Sequence, residues 1–229
     1  REKFINSLAH KPFCTNDFNE GLYKKVKNSA ITHQYIQHND DAFVSSLVFD
    51  IDQSLGALSW EFCGLPKPNI ITQNVQNGHA HLLYALKSPV CKTDAGKLKP
   101  LQYLAMIENG MRQKLNADNA YSGLITKNPL NNTWRTFWSD SEPYELNYLR
   151  DFLDDDISIV NPESTEYGLG RNVELFNVAR KYAYKIVLSY KDDNNYNDFY
   201  HNIYKFLKLE NVNKVSYNLL IDTEIRAIS

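Results

Sequence analysis

The run Leu-Val-Phe-Asp-Ile-Asp at residues 47–52 is the feature that most constrains how this chain can fold. It is apolar enough to be a core strand, yet it carries two carboxylates separated by an isoleucine. Successive side chains of a strand point to opposite faces, so Asp50 and Asp52 should share one face while Phe49 and Ile51 point into a core. The run therefore predicts a buried strand that ends in a pair of acidic groups.

A second strand-like run, Gly-His-Ala-His-Leu-Leu-Tyr, begins 26 residues later and occupies residues 78–84. His79 and His81 should share a face for the same reason, and apolar residues continue the strand after them. Two carboxylates and two imidazoles on neighbouring strands would form a hard, oxygen-rich site for a divalent cation such as Mg²⁺ or Mn²⁺. This combination indicates phosphoryl or nucleotidyl transfer.

The acidic pair is a weak signal when taken alone, because Asp-x-Asp also occurs as solvated carboxylates at the end of a strand. The residues that flank Asp50 and Asp52 are apolar, however, which places the pair at the end of a core strand. Two like charges are unfavourable there unless a cation neutralises them. A bound metal ion would provide that neutralisation.

Composition places the chain among globular proteins, since 43% of its 229 residues are hydrophobic and 23% are charged. No apolar run approaches the roughly 20 residues that a membrane span needs, and no signal peptide is visible. The three cysteines are odd in number and widely spaced, which favours reduced thiols over disulfides or a zinc site. We therefore expect a cytoplasmic protein without membrane contact.

The charged residues are unevenly distributed along the chain, and their distribution predicts the domain boundaries. Residues 139–170 hold nine Asp/Glu and one basic residue, whereas residues 1–138 have a balance of +4. Prolines lie near both ends of the acidic block, which is typical of a linker or a solvated edge. We predict a catalytic domain at 1–140, an acidic linker at 141–165 and a helical domain at 166–229.

Periodicity along the chain predicts a mixed α+β architecture. Helical patterns cover residues 18–38 and 99–115, with a short helix at 54–62. Strands are predicted at 42–51, 70–73, 79–86 and 121–126. Two further helical patterns, at 172–189 and 196–207, predict that the C-terminal part is mostly helical.

Three other functional interpretations stay open from the residues alone. The pattern His-hydrophobic-His is also the metal-binding signature of HUH-type rolling-circle nicking endonucleases. Those enzymes use a tyrosine nucleophile, and Tyr182 is the candidate for it in this chain. Against this, Ala80 is small where a bulky residue is usual, and nicking does not need the Asp50 and Asp52 pair. A general nucleotidyltransferase fold would have Gly-Ser before its acids, where this chain has two serines at 45–46. The third interpretation is a non-catalytic DNA-binding initiator module.

Four motifs, in order along the chain, resemble one known family. They are VFDID at 48–52, NGHAHLLYAL at 77–86, ADNAYSGLITKNP at 117–129 and GLGRNVELF at 168–176. Together they resemble the Rep replication initiators of theta-replicating colicin-type plasmids, members of the archaeo-eukaryotic primase (prim-pol) superfamily. The resemblance covers most of the chain and implies a prim-pol catalytic domain followed by a small helical primase C-terminal domain. It also implies that origin recognition lies beyond residue 229.

The resemblance implies a role for each acidic residue of the motifs. Asp50 and Asp52 match the paired metal-binding acids of the first superfamily motif. The third acid is placed at Asp118, with Asp94 as an alternative in a poorer context. These carboxylates would hold two Mg²⁺ or Mn²⁺ ions.

The resemblance also implies which residues meet the nucleotide. His81 matches the second superfamily motif and would be a catalytic residue that contacts the phosphates, with His79 where serine is common in the family. Lys127 and Asn128 would lie near phosphate or template, although Asn128 before Pro129 is also typical of a turn. The implied activity is a DNA-dependent primase/polymerase that joins nucleoside triphosphates on template DNA at a plasmid origin, with a host replication polymerase as a further partner.

Overall fold

The computed structural model describes residues 1–93, 95–154, 171–191 and 195–214. The chain divides into two units, Arg1–Tyr167 and Gly168–Ser229. The first unit combines β-sheets with short and long helices, and the second is helical where it is described. The predicted α+β class is therefore confirmed.

Eight described strands of the first unit form two four-stranded sheets, in which every neighbouring pair is antiparallel. The strands are β1 (Phe13–Thr15), β2 (Tyr23–Lys24), β3 (Tyr35–Ile36), β4 (Phe43–Ile51), β5 (Ile70–Gln73), β6 (Ala80–Cys91), β7 (Thr126–Lys127) and β8 (Arg135–Trp138). The smaller sheet has the order β2-β1-β3-β7, and the larger has the order β4-β6-β5-β8. The helices of this unit are α1 (Glu2–Ser7), α2 (Lys27–Ala30), α3 (Ser59–Phe62), α4 (Leu98–Leu115) and α5 (Leu146–Arg150).

The larger sheet is covered on both faces, as the apolar run at residues 47–52 predicts. One face of β4 and β6 forms a core with the inner side of α4; it includes Phe49, Ile51, Leu82, Tyr84, Leu104, Ile107 and Met111. The opposite face packs against α1 and the smaller sheet; it includes Phe4, Leu8, Ile36, Val48, Ile70 and Leu83. Each large apolar side chain buried in these cores contributes about 1.5–3 kcal/mol to folding.

Helix α4 confirms the amphipathic helix that the sequence predicts at residues 99–115. Leu104, Ile107, Met111 and Leu115 follow the spacing of one helical face, and all four are buried. The helix ends where Asn116 adopts a left-handed conformation with φ 48°. That conformation turns the chain back toward the larger sheet.

The prediction of a helix at residues 18–38 is wrong. The segment instead forms a 3-10 turn at Phe18–Glu20, strand β2, the short helix α2 and strand β3. The Asp17 carboxylate accepts a hydrogen bond from the Asn19 N–H, and Gly21 has φ 91°, so the chain turns away after one helical turn. Antiparallel pairing of β3 with β1 and β7 then satisfies backbone groups that a helix would have used.

The strand predicted at residues 121–126 is much shorter than expected. Only Thr126 of that range belongs to a strand, and it pairs with Ile36 of β3. Gly123 has φ 69°, which an extended strand does not accommodate. The strands predicted at 42–51, 70–73 and 79–86 correspond to β4, β5 and β6, although β6 continues as far as Cys91.

The beginning of the predicted acidic linker packs on the first unit. Leu149 on α5 and Leu153 after it are buried in the same core as Phe49 and Tyr84. The Tyr144 ring stacks on Tyr148 with a centroid distance of 5.6 Å. Residues 141–153 are therefore part of the first unit, and the rest of the predicted linker, from residue 155 onward, lies outside the described residues.

The described part of the second unit contains α6 (Arg171–Lys191) and α7 (Tyr196–Lys214), in agreement with the two predicted helical patterns. A small apolar core lies between these two helices; it contains Ala179 of α6 and Ile203 and Leu207 of α7. Among the described residues, no helix has both the length and the apolar character needed to cross a membrane.

Candidate functional site

Three carboxylates meet at the end of the larger sheet. Asp50 is the penultimate residue of β4, Asp52 follows the end of that strand, and Asp118 follows α4. One carboxylate oxygen from each lies within 4.8 Å of the other two. The structure thus brings together the three acids named from the sequence. An all-oxygen set of this size fits Mg²⁺ or Mn²⁺, which are commonly held by a few carboxylates together with substrate phosphates.

Asp118 reaches this position because of how α4 ends. After the left-handed Asn116, Ala117 is buried in the core beneath α4. The Asp118 N–H then donates to the Asp50 carbonyl oxygen at 2.9 Å. The Asp118 carboxylate accepts from the Ala120 N–H at 2.8 Å, which fixes the side chain in an Asx turn. The backbone therefore ties the third acid to the strand that carries the first.

Asp50 is neutralised by a cation that belongs to the chain itself. The Lys127 Nζ lies 3.2 Å from Asp50 Oδ1, and the two side chains are only 10% and 19% exposed. Burial alone would raise the pKa of Asp50. The hydrogen bond from His81 and the ammonium of Lys127 more than reverse this effect and lower the pKa to about 2. Asp50 is consequently ionised at neutral pH.

His81 is nearly enclosed and uses both ring nitrogens within the protein. Its Nδ1 accepts from the Lys127 N–H at 3.2 Å and lies 2.7 Å from the Thr126 hydroxyl. The proton must therefore be on Nε2, which donates to Asp50 Oδ1 at 3.2 Å. Burial lowers the pKa of His81, and the hydrogen bond to Asp50 offsets only part of that effect. His81 is thus a neutral imidazole that orients the Asp50 carboxylate.

His79 is the more exposed of the two histidines, and its Nδ1 lies 2.9 Å from Asp52 Oδ1. It is held at the start of β6 by a tight turn in which Gly78 has φ 79°. A Cβ on Gly78 would lie 1.9 Å from the Ser54 carbonyl oxygen. Position 78 therefore requires a glycine, because the loop after β4 packs directly against this turn. The close packing of the loop on the turn brings Asp52 beside His79.

Lys127 is the last residue of β7 in the smaller sheet and Asn128 follows it, so the site spans both sheets. Lys127 is paired with Tyr35 across β7 and β3. Asn128 is fully buried, and its amide donates to the carbonyl oxygens of Ile31 and His33 at 2.9 and 2.7 Å. The geometry therefore gives Lys127 direct access to the carboxylates, while Asn128 fixes the turn that follows β7. Nucleotide contact by Asn128 stays a prediction.

Three residues that surround the site were not assigned a role from the sequence. Thr126 contacts His81 Nδ1, and the Tyr121 ring packs edge-on against the His81 ring at 5.1 Å. Tyr35 lies close enough to Asp50 that burial and the Asp50 charge both raise the pKa of its hydroxyl. Thr126 and Tyr121 belong to the motif at 117–129 and could have been considered there. No local spacing points to Tyr35.

Two further residues were named from the sequence as candidates. Asp94, the alternative third acid, lies outside the described residues. Tyr182 belongs to α6 in the second unit, where its ring stacks on Phe206 at 3.9 Å. Its hydroxyl donates to Asn202 Oδ1 at 3.1 Å, so the side chain has a packing role between α6 and α7.

A concavity of about 620 Å³ lies on the same face of β4 and β6 as Asp50, toward the other end of the strands. Phe4, Ser46, Leu83 and Trp138 are among the residues that line it. Ser46 is four residues from Asp50 along β4, about 13–14 Å at the rise of a strand. This concavity contains none of the three aspartates and is separate from the carboxylate site.

The first unit is an α+β domain with a candidate divalent-cation site at the meeting point of two sheets. The chain belongs to the Replicase family, whose model matches residues 7–153. Its structure is also similar to the AEP domain of the primase-polymerase of cyanophage S-2L, with a TM-score of 0.48 and 14% sequence identity. That likeness covers 66% of this chain and 94% of the other. No curated protein matches the chain.

Proposed function

We propose that this protein is a primase-polymerase that joins nucleoside triphosphates on a DNA template. The observation that carries the proposal is the cluster of Asp50, Asp52 and Asp118, whose carboxylate oxygens lie within 4.8 Å of one another. Lys127 and His79 beside these acids supply groups that can meet phosphate. Membership of the Replicase family supports the same class of activity.

The proposed mechanism assigns a task to each group of the site. When bound, two Mg²⁺ or Mn²⁺ ions would lower the pKa of an attacking 3′-hydroxyl and neutralise the triphosphate. Asp50, Asp52 and Asp118 would hold them, with Asp50 kept ionised by its neighbours. Lys127 is placed to stabilise negative charge on the leaving pyrophosphate, because its ammonium already lies at the carboxylates.

The two histidines have different access to a nucleotide. His79 is partly exposed beside Asp52, so its ring would be accessible to a bound phosphate. His81 is almost enclosed and donates to Asp50, so its contribution in this geometry is to position that carboxylate. Direct phosphate contact by His81 stays a prediction.

The finer part of the proposal concerns the biological setting. The four motifs resemble those of colicin-type plasmid Rep proteins, which supports a replication initiator that makes a primer at a plasmid origin. The partners would then be nucleoside triphosphates, template DNA and a host replication polymerase that extends the primer. The setting proposed is the cytoplasm.

Primer synthesis on single-stranded DNA with labelled nucleotides tests this function. Asp52→Asn and Asp118→Asn should each lower the rate on the order of 100-fold or more, because a metal ligand contributes several kcal/mol in the transition state. Asp151→Asn is the matched control, since Asp151 is an exposed acid away from the cluster. Undiminished synthesis by both cluster variants at saturating Mg²⁺ or Mn²⁺ would contradict the proposal.

The same preparations discriminate against the nicking endonuclease. A nickase would leave a covalent phosphotyrosine adduct on cleaved single-stranded DNA, and Tyr182→Phe would abolish it. The proposal expects no adduct and normal primer synthesis by Tyr182→Phe. A protein–DNA band that survives boiling would favour nicking instead.

A further inference from the structure

Three aromatic side chains from separate parts of the chain form a row on the first unit. Tyr35 of β3 contacts both of the other rings: its centre lies 4.5 Å from that of Phe18 and 5.4 Å from that of Trp134. The indole N–H of Trp134 donates to the Gln34 carbonyl oxygen at 2.7 Å, which fixes that ring. The mechanism proposed above uses none of these three rings.

The aromatic row adjoins the carboxylate cluster. Tyr35 is paired with Lys127 between β3 and β7, and the Lys127 ammonium contacts Asp50. The Asp50 charge also helps burial to raise the pKa of the Tyr35 hydroxyl, which is a second sign that the two groups are close. A chain that lay along the row would therefore arrive next to the candidate metal ligands.

The outer end of the row is open, and strand β2 of the same sheet, with the residue that follows it, brings two lysines, Lys24 and Lys25. Phe18 is 53% exposed, and Tyr23 on β2 is also exposed. The Lys24 ammonium lies 4.7 Å from the centre of the Phe13 ring and 3.0 Å from Asp41 Oδ2. The Lys25 ammonium lies 5.6 Å from the centre of the Tyr23 ring and 2.9 Å from His33 Nε2. Aromatic faces with ammonium groups beside them are the combination that binds single-stranded nucleic acid, because bases stack on the rings and phosphates meet the cations.

We propose that Phe18, Tyr35 and Trp134 form a stacking surface for the bases of a single-stranded DNA template beside the carboxylate cluster. This inference rests on the proposed function and adds to it the path of the template. The rings hold one another rigidly, so little side-chain freedom is lost when a base stacks on them. A peptide ligand is the rival occupant, and oligonucleotide binding that is unchanged in Phe18→Leu would favour it.

Phe18→Leu tests the stacking surface, because leucine keeps an apolar side chain but has no aromatic face. The probe is a fluorescein-labelled single-stranded oligonucleotide, and the readout is its Kd by fluorescence anisotropy over a range of salt concentrations. We expect Phe18→Leu to weaken binding on the order of 10-fold, with the salt dependence unchanged, because the lost contact is uncharged. Phe18→Trp should bind within about twofold of the wild-type protein.

Phe62→Leu is the matched control, since Phe62 is an exposed ring on α3 outside the row. It should leave the Kd unchanged. In primer synthesis, Phe18→Leu should raise the KM for template while kcat stays the same, because the carboxylates are intact.

The outcomes distinguish this inference from the proposed function. If the wild-type protein synthesises primers but Phe18→Leu binds the oligonucleotide as well as wild type does, the stacking surface is refuted and the primase-polymerase activity stands. An equal loss in Phe62→Leu would also refute it, because the effect would then be general. If the wild-type protein neither binds the oligonucleotide nor synthesises primers, both proposals fail.

Discussion

Replacing Asp50 with asparagine should destabilise the protein even when no metal is present. Repulsion between neighbouring carboxylates would suggest the opposite, because the substitution removes one of three negative charges. Asp50 is, however, the counter-charge of Lys127, which is only 10% exposed. Asp50→Asn would leave that ammonium buried without its ion pair, and such a loss costs more than the pair itself contributes.

The magnitude follows from the pKa of Asp50. The folded protein lowers this pKa from 3.8 to about 2. Each pKa unit corresponds to about 1.4 kcal/mol, so the ionised carboxylate stabilises the fold by about 2 kcal/mol at neutral pH. Because the folded pKa is the lower one, this stability is present above about pH 4 and is lost as the pH falls toward 2.

Urea denaturation at pH 7 in a chelating buffer measures the effect. Asp50→Asn should lower the free energy of unfolding by about 2 kcal/mol, and its stability should fall less steeply than that of wild type between pH 4 and pH 2. Asp52→Asn is the control, because Asp52 is 57% exposed and should change stability little.

A double variant completes the test. Adding Lys127→Met to Asp50→Asn removes the unpaired ammonium and should recover part of the lost stability. The reasoning is refuted if Asp50→Asn is as stable as the wild-type protein or more stable, because repulsion among the acids would then exceed the attraction of Lys127.

Two further predictions concern packing near the site. Gly78→Ala should lower the free energy of unfolding by about 2 kcal/mol or more and weaken Mn²⁺ binding, because its Cβ would overlap the Ser54 carbonyl group. Gly64 has a similar positive φ, but a Cβ added there would meet no atom within 4 Å. In the same unfolding assay, Gly64→Ala should therefore show the cost of backbone strain without that of a steric clash. Tyr84→Phe should raise the melting temperature, because the Tyr84 hydroxyl is buried without a hydrogen-bond partner among the described residues. Tyr121→Phe should lower it, because the Tyr121 hydroxyl donates to a carbonyl oxygen; the opposite pair of shifts would contradict the argument.

Sequence patterns predicted the parts of the fold that depend on local periodicity. The alternation around Asp50 and the helical spacing before Asn116 are properties of single segments, so β4 and α4 appear where expected. The grouping of Asp50 with Asp118 was inferred from a family resemblance, and the structure brings these two residues together. Their roles in catalysis stay predictions.

The patterns failed where long-range pairing decides the structure. Residues 18–38 have a helical pattern, but β3 is held in place by strands on both sides, one of them some 90 residues later in the chain. The ion pair between Asp50 and Lys127 joins residues 77 positions apart in two different sheets. No spacing rule within one segment can anticipate such a contact. The sequence therefore indicates that the acidic pair needs a neutralising cation, but it does not indicate that Lys127 provides one for Asp50.

The position of Lys127 gives Asp50 a counter-charge within the chain, without any metal ion. Without an internal cation, the partly buried Asp50 would lack a counter-charge until an ion arrived. Here the ammonium from the smaller sheet already bridges to the acid of the larger one. Under the proposed function, an arriving divalent ion would compete with this resident charge, and the displaced ammonium would be free to receive the phosphates that enter with the ion. The same lysine would then serve as the counter-charge of Asp50 in the metal-free protein and as a ligand for substrate in the loaded one.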